Sequence, residues 1–369
     1  LDVIEEERWG ENIILNRKEN FMKKLLLAGA ALLLAASTAQ AQGVKLTSAA
    51  AQPGGASDIS AKFLAEVAAA ENIATIQVQV GQVLTKTMVQ VAEGKNDITA
   101  SAFILNFLMS RGLGPYSGLG KEKGKVLAGN LRLLFPFHLA HFVLVSFQSS
   151  GIDSYAKLKG KRVHNGPPRG GALVTARNVI RLSSGGLAEG KGYTGKQIAW
   201  GQANSIFLDG SVDAVVRPAT NPASWMPVFL AAGKLNMVSV PKKLFEAKAW
   251  QKYSHAPGNV PVLFPISELA HYGPNVRVIS ADNMFRSVAN SGGSMVNKNM
   301  DKKLAKALTA AFIKNVPDLF RKTAFAKTSH FGHVADKNFN FCKAGIKFHP
   351  GAVEAWEEAG HKVIACAKP

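Results

Sequence analysis

Short β-branched runs alternate with stretches of helical period along most of the chain, and this alternation restricts the possible folds more than any other feature. Ile59, Phe63 and Val67 repeat every four residues, as do Leu304 and Leu308, which predicts helices with one buried face. Strands between such helices favour an α/β architecture with largely parallel sheets. The predicted strands are residues 44–47, 75–80, 142–147, 162–165, 213–216, 237–240 and 276–280.

The segments between these elements indicate how the chain is organised into domains. The sequence has no internal repeat, no low-complexity segment and no Pro-rich linker. Two lobes joined by crossing strands fit this pattern better than two independent domains in tandem.

Residues 22–41 are typical of a secretory signal peptide. A basic start and an apolar run are followed by small residues at Ala39 and Ala41. The run of about 12 apolar residues is shorter than the roughly 20 that a membrane-spanning helix requires. A membrane anchor or a buried N-terminal helix is the alternative. We expect residues 1–21 to be an upstream extension that is not native, and the mature chain to begin near Gln42 in the periplasm.

Positive charge dominates the mature part of the chain. Of the 44 Lys and Arg and the 25 Asp and Glu, only 5 and 6 lie in the first 41 residues. Such a field attracts anionic small molecules, acidic protein surfaces and membranes. Nucleic acid is not an expected partner, because the cations are scattered in ones and twos without interleaved aromatic residues.

Cys342 and Cys366 are the cysteines of the chain. In an oxidising compartment they can pair and close a loop of roughly 25 residues, worth about 3 kcal/mol in the chain-entropy model. Two unpaired thiols are the alternative. No second cysteine pair or nearby histidine grouping has metal-ligand spacing, and we expect neither a metal nor a cofactor.

Three strand-to-helix junctions have the composition of anion-binding turns. Residues 52–58 and 164–171 each follow a strand with a Gly-rich turn, and residues 81–87 form a looser third junction. Glycines let a ligand approach the backbone, and the N–H groups of a helix start face outward. Ligands of open α/β sheets bind at such strand ends. An ordinary turn is the alternative at each, and neither a P-loop nor a dinucleotide fingerprint is present.

Arginine supplies the expected charge at these junctions. Arg169 is the first candidate for a carboxylate clamp, because its planar guanidinium can bind both oxygens, and Arg217 is the second. A salt bridge is the alternative role of Arg217. Ser57 or Asp58 is expected to cap the first helix. The candidate ligand-binding residues are Gly55, Ser57, Thr85, Thr87, Ser101, Asn165, Arg169, Gly170, Asn204 and Arg217.

Patterns that indicate an enzyme are weak. His138 and His141 are three apart in an expected strand, so their side chains should point to opposite faces and share no metal. His330 and His333 are expected in a loop. Neither a nucleophile elbow nor a zinc-protease helix occurs, so we expect no catalytic residue and no enzymatic activity.

Several segments together resemble one family of proteins. Residues 157–163 read KLKGKRV, residues 209–214 read DGSVDA and residues 349–352 read HPGA, while residues 112–116 and 130–134 fit the same pattern. These segments resemble the TAXI family, the periplasmic substrate receptors of one class of tripartite TRAP transporters. The resemblance extends over nearly all of the mature chain, and HPGA is its most specific part.

The resemblance implies a two-lobed periplasmic binding protein of the type II kind, with the ligand cleft between its lobes. Residues 44–139 and 262–340 would form the first lobe and residues 140–261 the second. Residues 341–369 would pack back across both.

Two departures from the family pattern fall in the expected ligand shell. Residues 169–172 read RGGA where the family has Gly-Ser-Gly-Thr, and residues 54–58 read GGASD, which resembles the receptors of tripartite tricarboxylate transporters. The resemblance implies a small organic anion as ligand, an amino acid such as glutamate or another carboxylate. It also implies delivery to TRAP permease subunits, through which the protein would meet the membrane. The alternatives are a tripartite tricarboxylate-type receptor, an enzyme on the same bilobal fold, or a basic surface or adhesion protein.

Overall fold

A computed structural model describes residues 43–323 and 328–369, and the two N-terminal predictions, on residues 1–21 and 22–41, lie outside them. The strands are β1 (Val44–Ala49), β2 (Ala74–Gln79), β3 (Ile98–Ala102), β4 (Leu131–Phe147), β5 (Arg162–His164), β6 (Thr194–Lys196), β7 (Ala214–Ala219), β8 (Leu235–Val238), β9 (Asn259–Pro265), β10 (Val276–Ile279) and β11 (Met284–Asn297).

The α-helices alternate with these strands. They are α1 (Ala56–Ala70), α2 (Leu84–Ala92), α3 (Phe103–Ser110), α4 (Lys121–Gly129), α5 (Gly171–Ser183), α6 (Ser205–Leu208), α7 (Met226–Ala232), α8 (Lys242–Phe245), α9 (Lys248–Ser254), α10 (Lys302–Lys322), α11 (Asp336–Phe339) and α12 (Pro350–Glu358). The predicted stripes are confirmed: Phe63 and Val67 of α1 and Leu308 of α10 are buried.

All strands belong to one sheet with the order β2-β1-β3-β11-β4-β7-β5-β6, extended by β8 and β10 beside β4 and by β9 beside β11. The α/β architecture is therefore confirmed. Pairs such as β1–β3 and β5–β7 are parallel, as expected. The centre differs, because β4 and β11 run antiparallel to each other and to their other neighbours.

The two long central strands connect two apolar cores. The first core uses residues 46–137 and returns at residues 295–367. The second core, on both faces of its part of the sheet, uses residues 142–288. β4 and β11 contribute to both cores, so the passage from one core to the other lies within these strands.

The HPGA segment has a packing role. His349 precedes α12 and its Nδ1 accepts a hydrogen bond from Gly351 N at 3.2 Å, while its Nε2 contacts Met300 O at 3.0 Å. A Cβ on Gly351 would lie 2.2 Å from Lys302 O. A glycine is therefore needed where α12 crosses the start of α10, and the segment does not face a ligand.

The C-terminal segment is joined to the preceding loop by a disulfide between Cys342 and Cys366, whose Cα atoms are 5.8 Å apart. Phe341 and Phe348 beside it are fully buried in the first core. The disulfide therefore secures the end of the chain to that core.

Candidate functional site

A cleft with about 780 Å³ of empty space, including its open mouth, lies where four helices begin. The residues that precede α1, α2, α3 and α5 are Gly55, Val83, Ala102 and Gly170, and all four line it. None of them has a side chain that accepts a capping hydrogen bond. Lys86 N of α2 donates to Val83 O, and the first helical turns otherwise present backbone N–H groups that are available to a ligand.

The three predicted junctions thus meet at one place. Residues 52–58, 81–87 and 164–171 each contribute lining residues, among them Gly55, Ser57 and Gly170 from the candidate set.

The expected caps of α1 are wrong. The Ser57 hydroxyl donates to Ala100 O at 2.6 Å and accepts from Ala51 N at 3.1 Å, which ties the turn to β3. Asp58 Oδ2 accepts from Gly54 N at 2.8 Å, ahead of the helix. Both side chains hold the turn in shape, and the helix N–H groups stay uncapped.

Arg217 of β7 lies behind the wall of the cleft and is 2 % exposed. Its Nη1 donates to Asn204 Oδ1 and its Nη2 donates to Gln52 Oε1, both at 2.8 Å. The guanidinium carbon is 4.6 Å from the ring centre of Trp225 and 5.5 Å from that of Trp200. Nε has no partner among the described residues.

No carboxylate of residues 43–323 or 328–369 acts on this guanidinium, and burial alone lowers the pKa of Arg217 to about 9. It therefore remains a cation at neutral pH. A buried cation without a counter-ion is costly, and a bound anion would reduce that cost.

Gln52 connects Arg217 to the cleft. Because its Oε1 accepts from Arg217, its amide is oriented with the oxygen toward the cation, and its Nε2 keeps two N–H donors. Gln52 also lines the cleft. The amide therefore offers donors beside the uncapped helix starts.

Hydrogen bonds join the two sides of the cleft. Thr85 Oγ1, in the first turn of α2, donates to Arg169 O at 3.0 Å. Ser224 Oγ donates to Pro53 O at 3.4 Å. Gly54 has φ +68°, and a Cβ there would lie 2.6 Å from Ser224 Oγ, so only glycine fits. With the Arg217–Gln52 bond, these contacts hold the cleft closed.

The remaining candidates lie elsewhere. The Arg169 side chain is exposed, although its backbone, at φ +59°, contributes to the closure. Thr87 Oγ1 lies 2.8 Å from the hydroxyl of Thr99. Asn165 Nδ2 donates to Glu189 Oε2 at 2.6 Å, and Ser101 is buried in β3. None of these four residues lines the cleft.

Sequence reasoning missed Gln52. Gln52 is the first residue of a predicted junction, and this position was the available signal. Its partner Arg217 is 165 residues away, so their contact could not be read from the sequence.

A second groove adjoins the same part of the sheet and shares Ala140 and Thr220 with the cleft. His138 and His141 both line it, so the expectation of opposite faces is wrong. The cause is a register shift between β4 and β11: Ala140 pairs with Asn290 and His138 with Ser291, which leaves Leu139 unpaired.

These histidines are held by packing. The His138 ring centre is 4.5 Å from that of His330, and His141 packs edge-on against Phe264 and Phe285. Burial lowers the pKa of His138 and of His141 to about 4. In the part of the chain that the structure describes, no group of three or more His, Cys, Asp or Glu is arranged to hold a metal. In the same part, no helix has the length and hydropathy to cross a membrane.

The fold and the cleft define a class, the two-lobed α/β proteins with a solute-sized cleft between two cores. The sequence profile of the NMT1-like family matches residues 61–360, and the chain belongs to this family. The match does not single out the TAXI family, which stays a prediction.

Three solved structures illustrate the similarity. A protein from Bordetella bronchiseptica RB50 is 13% identical, with 87% of this chain and 99% of that chain covered and a TM-score of 0.49. A TRAP periplasmic solute binding protein from Sulfitobacter sp. NAS-14.1, with bound β-D-galacturonate, is 11% identical over 85% and 94%, with a TM-score of 0.44.

The alkanesulfonate-binding protein SsuA from Xanthomonas axonopodis pv. citri, bound to MOPS, is 16% identical with a TM-score of 0.36. That match covers 52% of this chain and only 59% of the SsuA chain. None of the three TM-scores reaches 0.5, so these similarities identify neither a ligand nor a partner.

Proposed function

We propose that this protein is a periplasmic solute-binding receptor that captures a small organic anion and delivers it to a membrane transporter. The observation that carries the proposal is the convergence of four uncapped helix starts on one cleft, in front of a buried arginine without a carboxylate partner. Binding and release need no catalytic group.

Backbone N–H groups supply the first part of anion recognition. Each helix start carries a partial positive charge, and glycines at positions 55 and 170 leave the N–H groups uncovered. Arg217 supplies the second part through the donors of Gln52. Water exclusion in the closed cleft strengthens both contributions.

Closure would follow from the ligand's preference for the closed form. The Thr85–Arg169 and Ser224–Pro53 bonds close the cleft from two sides. An anion that contacts both sides shifts the population toward this form. The closed receptor would then dock on the permease, for which we propose a TRAP transporter of the TAXI type.

The first test separates the two arginine candidates. Thermal-shift screening against amino acids, mono- and dicarboxylates, aromatic acids and alkanesulfonates should identify a saturable ligand class. For the best ligand, Arg217→Met should weaken binding by about 100-fold, because the buried positive charge and the hydrogen bond that orients the Gln52 amide are both lost. Arg169→Met is the matched control and should stay within about threefold of wild type, since its side chain is exposed.

The opposite ranking would assign the clamp to Arg169. Stabilisation by polyanions only, fading as salt increases, would instead favour the surface or adhesion protein. Deletion of the gene should also abolish cellular uptake of the identified anion, and unchanged uptake would argue against a transport role.

A further inference from the structure

Among residues 43–323 and 328–369, the side chains that line the cleft carry no formal charge: Asp, Glu, Lys, Arg and His are all missing from this part of its wall. Most of the wall is apolar, with Val83, Leu84, Ile104, Leu105, Phe142 and Trp200 among its members. Ligand pockets use such surfaces to bury an apolar body and reserve a few polar groups for orientation.

The polar side chains of the wall are largely committed to the protein. Thr220 Oγ1 donates to Pro222 O at 2.8 Å. Asn290 donates to Asn259 Oδ1 at 2.8 Å and accepts from Thr175 at 3.1 Å. The Ser57 hydroxyl is donated to β3, as described above. Gln82 Nε2 makes a long contact of 3.5 Å with Val80 O. Recognition is therefore concentrated at Gln52, Gln82 and the helix starts.

Binding of an ammonium group in the cleft is disfavoured. The cation Arg217 lies behind the wall, and the positive ends of four helices face the same space. An α-amino group would meet like charge and no carboxylate among the described residues that line the cleft, and an uncompensated charge in such a site is strongly disfavoured.

A second carboxylate is equally unsupported. It would extend from the helix starts toward the wall formed by Leu139, Phe142 and Trp200. Burial of an ionised group against apolar side chains is costly when no donor replaces its water.

We propose that the ligand is a monoanion with an apolar body and no cationic group, such as a branched or aromatic monocarboxylate or sulfonate. This inference rests on the proposed receptor function and narrows it, because it excludes amino acids and dicarboxylates from the cleft. The monoanionic head would contact Gln52 and the helix starts, and the body would fill the apolar wall.

Matched probes test the inference by calorimetric titration of the purified protein. 4-Methyl-2-oxopentanoate, leucine and 2-oxoglutarate differ at the α position or at the far end of the chain. We expect the first to bind about 100-fold more tightly than either of the others. 3-Methylbutane-1-sulfonate tests the head group, and its binding in place of the oxo acid would support the monoanion and identify the head as a sulfonate.

A variant provides the converse test. Ala172 lines the cleft, is half-buried and lies in the first turn of α5, where Asp is compatible with a helix. Ala172→Asp supplies the missing carboxylate and should reverse the preference between the oxo acid and leucine. Ala172→Asn, uncharged and similar in size, should keep the wild-type preference.

Tighter binding of leucine or 2-oxoglutarate to the wild-type protein would overturn the inference and leave the receptor function standing. If neither these probes nor the wider panel of anions binds, the receptor function fails as well.

Discussion

The cleft and the second groove are adjacent, yet they are built differently. Within the described part of the chain, the cleft has no ionisable side chain in its wall, whereas the groove includes four histidines together with acidic residues and lysines. The two recesses even share Ala140 and Thr220. The positive character of the cleft therefore comes from helix N-termini and one buried cation, while the charges of the groove belong to a solvated surface.

The largest effect should follow from giving Arg217 the counter-ion that it lacks. Gln52→Glu places a carboxylate where Oε1 lies 2.8 Å from Nη2. Anion affinity should fall by about 100-fold or more, because the new charge pairs with the cation and repels the ligand. Calorimetric titration measures the affinity.

Gln82→Glu is the control for simple repulsion, since Gln82 also lines the cleft but does not contact Arg217. Its loss of affinity should be about tenfold smaller than that of Gln52→Glu. Equal losses of affinity in the two variants would show that simple repulsion, and not the pairing with Arg217, weakens anion binding.

Removal of the disulfide should separate stability from binding. The double variant Cys342→Ser, Cys366→Ser should lower the free energy of unfolding by about 3 kcal/mol, because the unfolded chain regains the freedom of the closed loop. Urea denaturation measures this change. Anion affinity should stay within about twofold, because the neighbouring Lys343 lines the groove and not the cleft. A folded variant that no longer binds the anion would contradict this separation.

Acid should destabilise the protein through the groove. Burial lowers the pKa of His138 and His141 from 6.5 to about 4, so the unfolded chain binds more protons between these values. The free energy of unfolding should therefore be highest above pH 6.5 and decrease as the pH falls toward 4. Thermal midpoints at pH 7 and pH 5 measure the slope.

His141→Phe keeps a ring beside Phe264 and Phe285 but removes the group that binds a proton, so it should reduce this slope. The exposed His255 lines the same groove, and His255→Gln should keep the wild-type slope. If His141→Phe leaves the slope unchanged, His141 is not a source of the acid sensitivity.

The smallest effect concerns a single helix start. Gly55→Ser adds a capping hydroxyl that competes for the N–H groups of α1, so anion affinity should fall by about threefold to tenfold. Ala247→Ser adds the same cap to α9, away from the cleft, and should leave affinity unchanged. Calorimetry of the two variants compares them, and equal affinities would mean that the α1 start does not contact the ligand.

The sequence predicted most of the flanking elements, because β-branched runs and four-residue spacing report burial directly. It missed β3, β6 and β9, and also the first half of β4, where Pro136 argues against a central strand. All of β11 was missed as well, because its buried run includes Gly292 and Gly293. A Cβ on Gly292 would lie 2.3 Å from Ser101 O, so close strand approach requires glycine there.

The candidate site, too, could be predicted from the sequence only in part. The three junctions could be predicted because Gly-rich turns between strand and helix are local features. The hydroxyls of Ser57 and Thr85 could not be assigned, because their partners Ala100 and Arg169 lie 43 and 84 residues away. Only the folded chain shows that these hydroxyls hold the protein together.

In the proposed receptor, the bonds that close the cleft also determine how a captured solute leaves. Thr85–Arg169, Ser224–Pro53 and Gln52–Arg217 must separate before the mouth can widen. The residence time of a solute is then limited by an opening step that belongs to the protein. A solute that contacts both sides adds to these bonds and slows the opening, and a permease that loosens the bonds would control the moment of release.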